Sequence, residues 1–142
     1  MAVFNRQDTV SNPLCGLQMQ AINVTKGGVT LASDIMCANT SSDRRRGLLG
    51  RANLRIDEGI YLTPCEWLHT FGMRFAIDIA FLSAEGEVLA VHRELWPRRL
   101  SKIVLRAHGA LELAAGALRR SGTEVGDVVQ FVNCVTGELV SW

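Results

Sequence analysis

The sequence lacks the patterns that mark several large classes of protein. Its 15 lysine and arginine residues are balanced by 14 aspartate and glutamate residues, so no strong overall field attracts nucleic acid or an anionic membrane. No apolar run approaches the roughly 18 residues that a membrane span needs, and residues 1–10 lack the apolar core of a signal peptide. We therefore expect a soluble, cytoplasmic protein that binds no nucleic acid and has no membrane span.

The four cysteines form no recognisable metal or redox motif. Cys15, Cys37, Cys65 and Cys134 are widely separated, and no CxxC or CxxH pair occurs. This spacing argues against a zinc ribbon and against a thioredoxin-like site. The GxSxG, P-loop, HExxH and dinucleotide-binding patterns are absent as well. We expect four reduced thiols, no cofactor and no standard nucleotide or zincin chemistry.

Short apolar and β-branched runs, separated by turn residues, organise the 142-residue chain. Strands are predicted at 17–24, 29–38, 59–62, 77–82, 87–92, 103–113 and 128–132. Two short helices are predicted at 42–51, where Thr40 and Asp43 cap the start, and at 114–120. The pattern predicts a mainly β (α+β) fold, a compact β sandwich or barrel with two short helices, as a single domain over 17–142. Polar residues without a sustained period predict a flexible N-terminal arm at 1–16.

Three potential metal ligands, Cys65, His69 and Met73, follow one another at four-residue intervals. On a helix they would share one face and would suit Cu(I) or Zn(II), but Pro64 and Gly72 argue against a helix. In a strand neighbouring members would lie roughly 13 Å apart, too far for one ion. No metal site is predicted. The simpler interpretation is that Met73 is core, Cys65 is an inert small hydrophobe and His69 lies at a pocket wall.

Asp78 lies in the middle of an apolar strand, where an unpaired carboxylate would cost several kcal/mol. It must therefore accept hydrogen bonds from backbone N–H groups or from a cation, for which Arg45, Arg46 and Arg74 are the candidates. Two interpretations stay open. Asp78 either ties a loop or the first helix to the sheet, or it lies in a pocket and orients His69.

Glu112 raises the same question, because it too lies in a mostly apolar stretch. Its candidate partners are Arg46 and His108. The arginine run 44–46, together with Arg51, would suit an anion. Helical spacing scatters these side chains around the axis, so we interpret the run as a solvated face with one buried salt bridge.

Several short motifs follow one another along the chain. They are Arg46-Gly47-Leu48-Leu49-Gly50-Arg51, Cys65, His69-Thr70-Phe71-Gly72-Met73-Arg74-Phe75, Ile77-Asp78 with Phe81, Leu111-Glu112-Leu113, Ala115-Gly116 and Gly126-Asp127. On these residues the chain resembles domain-of-unknown-function family 192 of bacteria and archaea, over roughly 29–132. The resemblance implies a fold built largely from β-strands and no established reaction. Ala76 departs from the proline that the family commonly has at this point, and many relatives begin with an export signal that is not visible here.

These observations favour a small β-rich module that binds or assists without being an enzyme. A polar pocket near His69, Arg74 and Asp78 would take an unknown small ligand or a peptide. The candidate binding residues are Cys65, His69, Met73, Arg74, Asp78, Arg46 and Glu112. One alternative is a hydrolase or metal-assisted enzyme, with His69 as general base and Asp78 as its orienting group. Another is a structural protein that binds its partner along an exposed strand edge.

Overall fold

The computed structural model describes residues 17–141, which form an eight-stranded sheet and two short helices. The strands are β1 Met19–Asn23, β2 Val29–Ala38, β3 Glu58–Leu62, β4 Ile77–Leu82, β5 Val88–Leu95, β6 Gly109–Ala114, β7 Val129–Asn133 and β8 Leu139–Val140. The helices are α1 Ser41–Arg46 and α2 Ala117–Ser121. The mainly β prediction is confirmed. The predicted arm at 1–16 lies outside the described residues, and within them no helix is long and apolar enough to cross a membrane.

The strand order in the sheet is β5-β4-β6-β3-β2-β1-β7-β8. Strands β2 and β3 run parallel, and the other pairs of the described sheet are antiparallel. A parallel pair needs a long crossover, and residues 39–57, including α1, provide it. The Val88 N–H donates to the Asp127 carbonyl at 2.8 Å, which links the start of β5 to the turn before β7. The sheet is therefore curled, since β5 and β7 lie near its opposite edges. It does not close into a barrel, so the compact sandwich is the form of the prediction that applies.

Alternate residues of the central strands enter two apolar clusters, one on each face of the sheet. On the first face, called the α2 face, Tyr61 packs against Phe131 with ring centroids 4.9 Å apart, and Leu118 of α2 is buried there. On the second, called the loop face, Ile79 and Phe81 are covered by connecting segments. Full burial of each large apolar side chain contributes about 1.5–3 kcal/mol to folding, so both clusters stabilise the sheet.

The first helix is shorter than predicted. Thr40 caps it, accepting from the Asp43 N–H at 3.0 Å as expected. The helix ends after one and a half turns, because Gly47 adopts a positive φ of 43° and its N–H returns to the Asp43 carbonyl. The turns beyond it still bury Leu48, whereas Ala52, just past the predicted end of the helix, is exposed.

The long strand predicted at 103–113 is also shorter. Strand β6 begins at Gly109, and the apolar residues Ile103 and Leu105 are exposed instead of paired in the sheet. Periodicity alone does not distinguish a buried strand from an apolar surface loop. The two-residue strand β8 was missed, because so short a segment has no measurable period. Gly122, with a positive φ of 66°, ends α2 close to the predicted end at residue 120.

Candidate functional site

A cleft of about 480 Å³ opens where the crossover leaves the sheet. We call it the α1 cleft. Its walls come from the end of β2, from β3, and from α1 with the turns that follow it. The lining side chains include Met36, Asp43, Arg46, Leu49, Arg51 and Ile60. The sequence predicted Arg46 as a binding residue, and the fold places it in this cleft.

Two arginines give the α1 cleft its charge. Arg46 is exposed, and within residues 17–141 it makes no side-chain hydrogen bond or ion pair. Arg51 is partly buried, and its Nη2 lies 3.3 Å from each carboxylate oxygen of Glu58. Its Nη1 finds no hydrogen-bond partner in the described part of the chain. The exposed guanidinium of the cleft is therefore that of Arg46, whose donors are not used by residues 17–141, while the Nη1 of Arg51 is buried beside it.

Arg44 behaves differently from its neighbours in the arginine run. It is 1% exposed, and its Nη1 donates to the carbonyls of Asn39 at 2.8 Å and Thr63 at 3.2 Å. The interpretation of the run as a solvated face is therefore wrong for this residue. The short helix directs Arg44 inward, where it ties α1 to the loop that follows β3.

Asp78 performs a structural task. It is fully buried, its Oδ1 accepts from the Glu94 N–H at 2.8 Å, and its Oδ2 accepts from the Leu118 N–H at 2.9 Å. Leu118 lies in the first turn of α2, whose N-cap is a glycine without a capping side chain. Asp78 thus supplies the missing cap from a neighbouring strand. Of the two predicted kinds of partner, backbone N–H groups are the ones observed, and the candidate cations Arg45, Arg46 and Arg74 do not pair with Asp78.

Glu112 is buried without a hydrogen-bond partner among residues 17–141. It lies on the loop face of β6, between Ile60 of β3 and Ile79 of β4, and neither carboxylate oxygen has a hydrogen-bond partner in the described part of the chain. The suggested partners Arg46 and His108 are therefore wrong. Burial raises the pKa of the Glu112 carboxyl to about 8, so the group is largely protonated at neutral pH.

Cys65, His69 and Met73 do not form one site. Cys65 and Met73 are buried in the loop-face cluster, as the simpler interpretation expects. His69 lies at the surface, where its Nδ1 accepts from the Phe71 N–H at 3.2 Å and its ring lies 5.4 Å from that of Phe71. Partial burial lowers the pKa of the His69 imidazole. Among residues 17–141 no three His, Cys, Asp or Glu side chains are grouped so that they could hold a metal ion.

Two smaller clefts accompany the α1 cleft, with volumes of about 330 and 210 Å³. None of these three is lined by His69, Arg74 or Asp78. Arg74 is exposed. Sequence reasoning placed Arg51 in a solvated run and missed its role in the α1 cleft. The available signal was Glu58, a further acid at the start of an apolar strand, seven residues beyond Arg51 in the chain.

The burial of the thiols predicts their order of reaction. Cys37, Cys65 and Cys134 are free thiols, and Cys15 lies outside the described residues. Iodoacetamide added to the folded protein should label exposed Cys134 first and leave Cys65 unlabelled, because burial raises the pKa of the Cys65 thiol. Peptide mapping before and after denaturation measures this order. Equal labelling rates for Cys65 and Cys134 would contradict the buried position of Cys65.

The comparisons with known proteins identify the family and the fold. No curated protein matches the chain. A protein of unknown function from Novosphingobium aromaticivorans has a similar crystal structure, with a TM-score of 0.69, 23% identity, and coverage of 84% of this chain and 90% of that one. A protein from Sinorhizobium meliloti, provisionally named a transcription regulator, has a TM-score of 0.63 and 24% identity, and covers 78% of this chain and 89% of its own. At these identities the similarity shows the fold alone. The model of family DUF192, described as Uncharacterized ACR, COG1430, matches residues 22–131, and the chain therefore belongs to this family of unknown function.

Proposed function

We propose that the protein is a non-enzymatic binding module, and that its α1 cleft takes a small ligand with one anionic group and an apolar body. The observation that carries this proposal is the Arg46 guanidinium, which has no hydrogen-bond or ion-pair partner among residues 17–141 and lies in a cleft of about 480 Å³. Binding sites for small molecules typically measure about 300–1,000 Å³ and combine apolar walls with a few polar groups. The α1 cleft has both properties.

The charged groups of the cleft favour a single negative charge on the ligand. The Arg46 guanidinium is free to bind a carboxylate or phosphate through two parallel hydrogen bonds, and Arg51 adds positive charge beside it. Asp43 also lines the cleft. Its carboxylate repels a second negative charge, so a monoanion suits the site better than a polyanion does.

The apolar part of the cleft favours a ligand with a hydrocarbon portion. Leu49 and Ile60 line it, and the side chain of Met36 is exposed beside them. Methionine adapts its shape to different apolar groups, which suits a surface that binds a flexible chain. Covering this surface would remove apolar area from water at about 25 cal/mol per Å².

The geometry gives less support to the enzymatic alternative. In neutral His69 the nitrogen that accepts from the Phe71 N–H is Nδ1, which places the proton on Nε2. The Nε2 atom is then a donor, whereas a general base needs a free lone pair. Asp78, the proposed orienting group, is occupied by two backbone N–H groups.

Titration with octanoate tests the proposal. Octanoate combines one carboxylate with an apolar chain, and octyltrimethylammonium carries a similar apolar chain with a cationic head that accepts no hydrogen bond. Calorimetry should detect binding of octanoate and not of the cation. Arg46→Gln should weaken octanoate binding at least about tenfold, because a hydrogen bond between charged groups is lost. The matched control Arg119→Gln changes the net charge equally on α2 and should bind like the native protein. Equal affinity for both amphiphiles, or an unchanged Kd in Arg46→Gln, would contradict the proposal.

A further inference from the structure

A second surface shares no lining residue with the α1 cleft. Residues 66–71 and 96–106 run antiparallel as an irregular two-stranded ribbon outside the main sheet, which we call the Trp96 ribbon. The Thr70 N–H donates to the Arg99 carbonyl at 2.9 Å, the Ser101 N–H to the Leu68 carbonyl at 2.9 Å, and the Val104 N–H to a carbonyl of the first segment at 2.8 Å. His69 and Leu100 form a β-bridge between these bonds. The ribbon is therefore a defined structure and not a loose loop.

The two sides of the Trp96 ribbon differ. Leu68 and Thr70 are fully buried and face the domain. His69 and Leu100 are bridge partners, so their side chains share the opposite, outer side, which Phe71 joins through its contact with His69. Five large apolar side chains of the ribbon are exposed: Phe71 by 49%, Trp96 by 64%, Leu100 by 61%, Ile103 by 67% and Leu105 by 75%. Exposed apolar side chains that are grouped in this way mark an interaction surface.

The ribbon is also basic. Segment 96–106 contains Arg98, Arg99, Lys102 and Arg106 and no acidic residue. With the flanking residues, 65–75 and 93–106 together hold six lysine and arginine residues against two glutamates. The remainder of the chain holds nine against twelve, so the net charge of +1 hides a positive ribbon on a negative domain. The local charge, and not the total, determines what this surface attracts.

We propose that the Trp96 ribbon binds the surface of an anionic phospholipid membrane. Tryptophan and phenylalanine with leucine and isoleucine partition into the headgroup region, and neighbouring cations bind lipid phosphates. Hydrogen bonds between the backbones of the two segments leave fewer unpaired N–H and C=O groups to be desolvated when the ribbon inserts into the headgroup region. None of the three clefts described above is lined by residues of segment 96–106, so these clefts offer no groove for a peptide at the ribbon. The projecting, basic and apolar ribbon fits a lipid surface better.

The charge requirement is tested by flotation of the full chain with lipid vesicles. The chain should bind vesicles of phosphatidylcholine mixed with phosphatidylglycerol, should bind pure phosphatidylcholine weakly, and should be released by salt. The variant Arg99→Gln/Lys102→Gln should lower the partition coefficient about 25-fold, roughly fivefold for each charge. The control Arg119→Gln/Arg120→Gln removes two exposed cations from α2 and should leave partitioning within about twofold of the native value, as expected when only charges near the surface count.

The apolar requirement has its own pair of variants. Leu100→Ser/Ile103→Ser should reduce vesicle binding at least about tenfold, whereas Val135→Ser/Leu139→Ser changes two equally exposed apolar residues at β8 and should not. All four positions are exposed, so the melting temperature should stay close to that of the native protein. Failure of the native chain to bind anionic vesicles, or equal binding by ribbon and control variants, would overturn the proposal. Retention on immobilised polyglutamate without vesicle binding would overturn it in favour of an acidic polypeptide partner.

Discussion

Replacing Glu112 by methionine should raise the free energy of unfolding by roughly 3 kcal/mol at pH 8 and by much less at pH 5. The native carboxyl has a pKa of about 8 in the folded protein, compared with 4.5 for the ordinary group. Between these values the unfolded chain has released the proton that the folded protein retains. Stability therefore falls as the pH rises through this window, by a total on the order of 4 kcal/mol. Methionine is similar in shape to glutamate and does not titrate, so the variant should not lose stability in this pH window.

Urea unfolding at both pH values measures the effect. The control Ile79→Met replaces the register neighbour of Glu112 by the same residue. It should cost less than about 1.5 kcal/mol, and equally at both pH values, because no titrating group changes. A native protein that is equally stable at pH 5 and pH 8 would show that the Glu112 carboxyl is not isolated in the folded state. The same conclusion would follow if the free energy of unfolding of Glu112→Met changed with pH as much as that of the native protein.

Replacing Asp78 by alanine should destabilise the protein by about 3 kcal/mol, because the buried N–H of Leu118 and the partly buried N–H of Glu94 lose their acceptor. Asp78→Asn keeps one acceptor oxygen and should cost about half as much. These two bonds hold the start of α2 and the end of β5 against β4. The lower stability of the variant should therefore appear as a lower urea midpoint and a lower melting temperature.

The control for this prediction is Asp57→Ala, which breaks a largely exposed ion pair with Arg55. Exposed pairs contribute about 0–1 kcal/mol, so this variant should unfold close to the native midpoint. If Asp78→Ala were as mild as Asp57→Ala, the two backbone bonds to Asp78 would not be stabilising.

Local patterns were sufficient for those parts of the fold that local chemistry determines. The strands predicted at 17–24 and 29–38 correspond to the β1–β2 pair, and the apolar strand predicted at 77–82 corresponds to β4. The same reasoning was wrong for Ile103 and Leu105, which are as apolar as any strand residue and yet exposed. Whether such a run is buried depends on which segments pack against it. Residues 103–105 pair with segment 66–71 outside the main sheet, and this tertiary contact is not visible in the local sequence.

The two acids in apolar strands show the same limit at the candidate site. Asp78 and Glu112 look alike in sequence, and both predictions asked for a buried partner. The partners of Asp78 lie 16 and 40 residues away, and they are backbone groups that no side-chain pattern reveals. Glu112 has no partner among the described residues, because its neighbours across the sheet are isoleucines. The sequence predicted that these carboxyls are unusual, but only tertiary structure distinguishes an occupied carboxylate from a neutral acid.

The parallel pairing of β2 with β3 forms a line that divides the sheet into two halves of four strands each, and the halves are also linked by the bond from the Val88 N–H to the Asp127 carbonyl. The α1 cleft lies across this line, since Met36 belongs to one half and Ile60 to the other. A motion that separates the halves would therefore also pull the cleft apart. A molecule held in the cleft resists that motion, because it contacts both halves and stabilises only the joined state. Ligand binding in the α1 cleft and the mechanical resistance of the two halves to separation are therefore coupled in this domain.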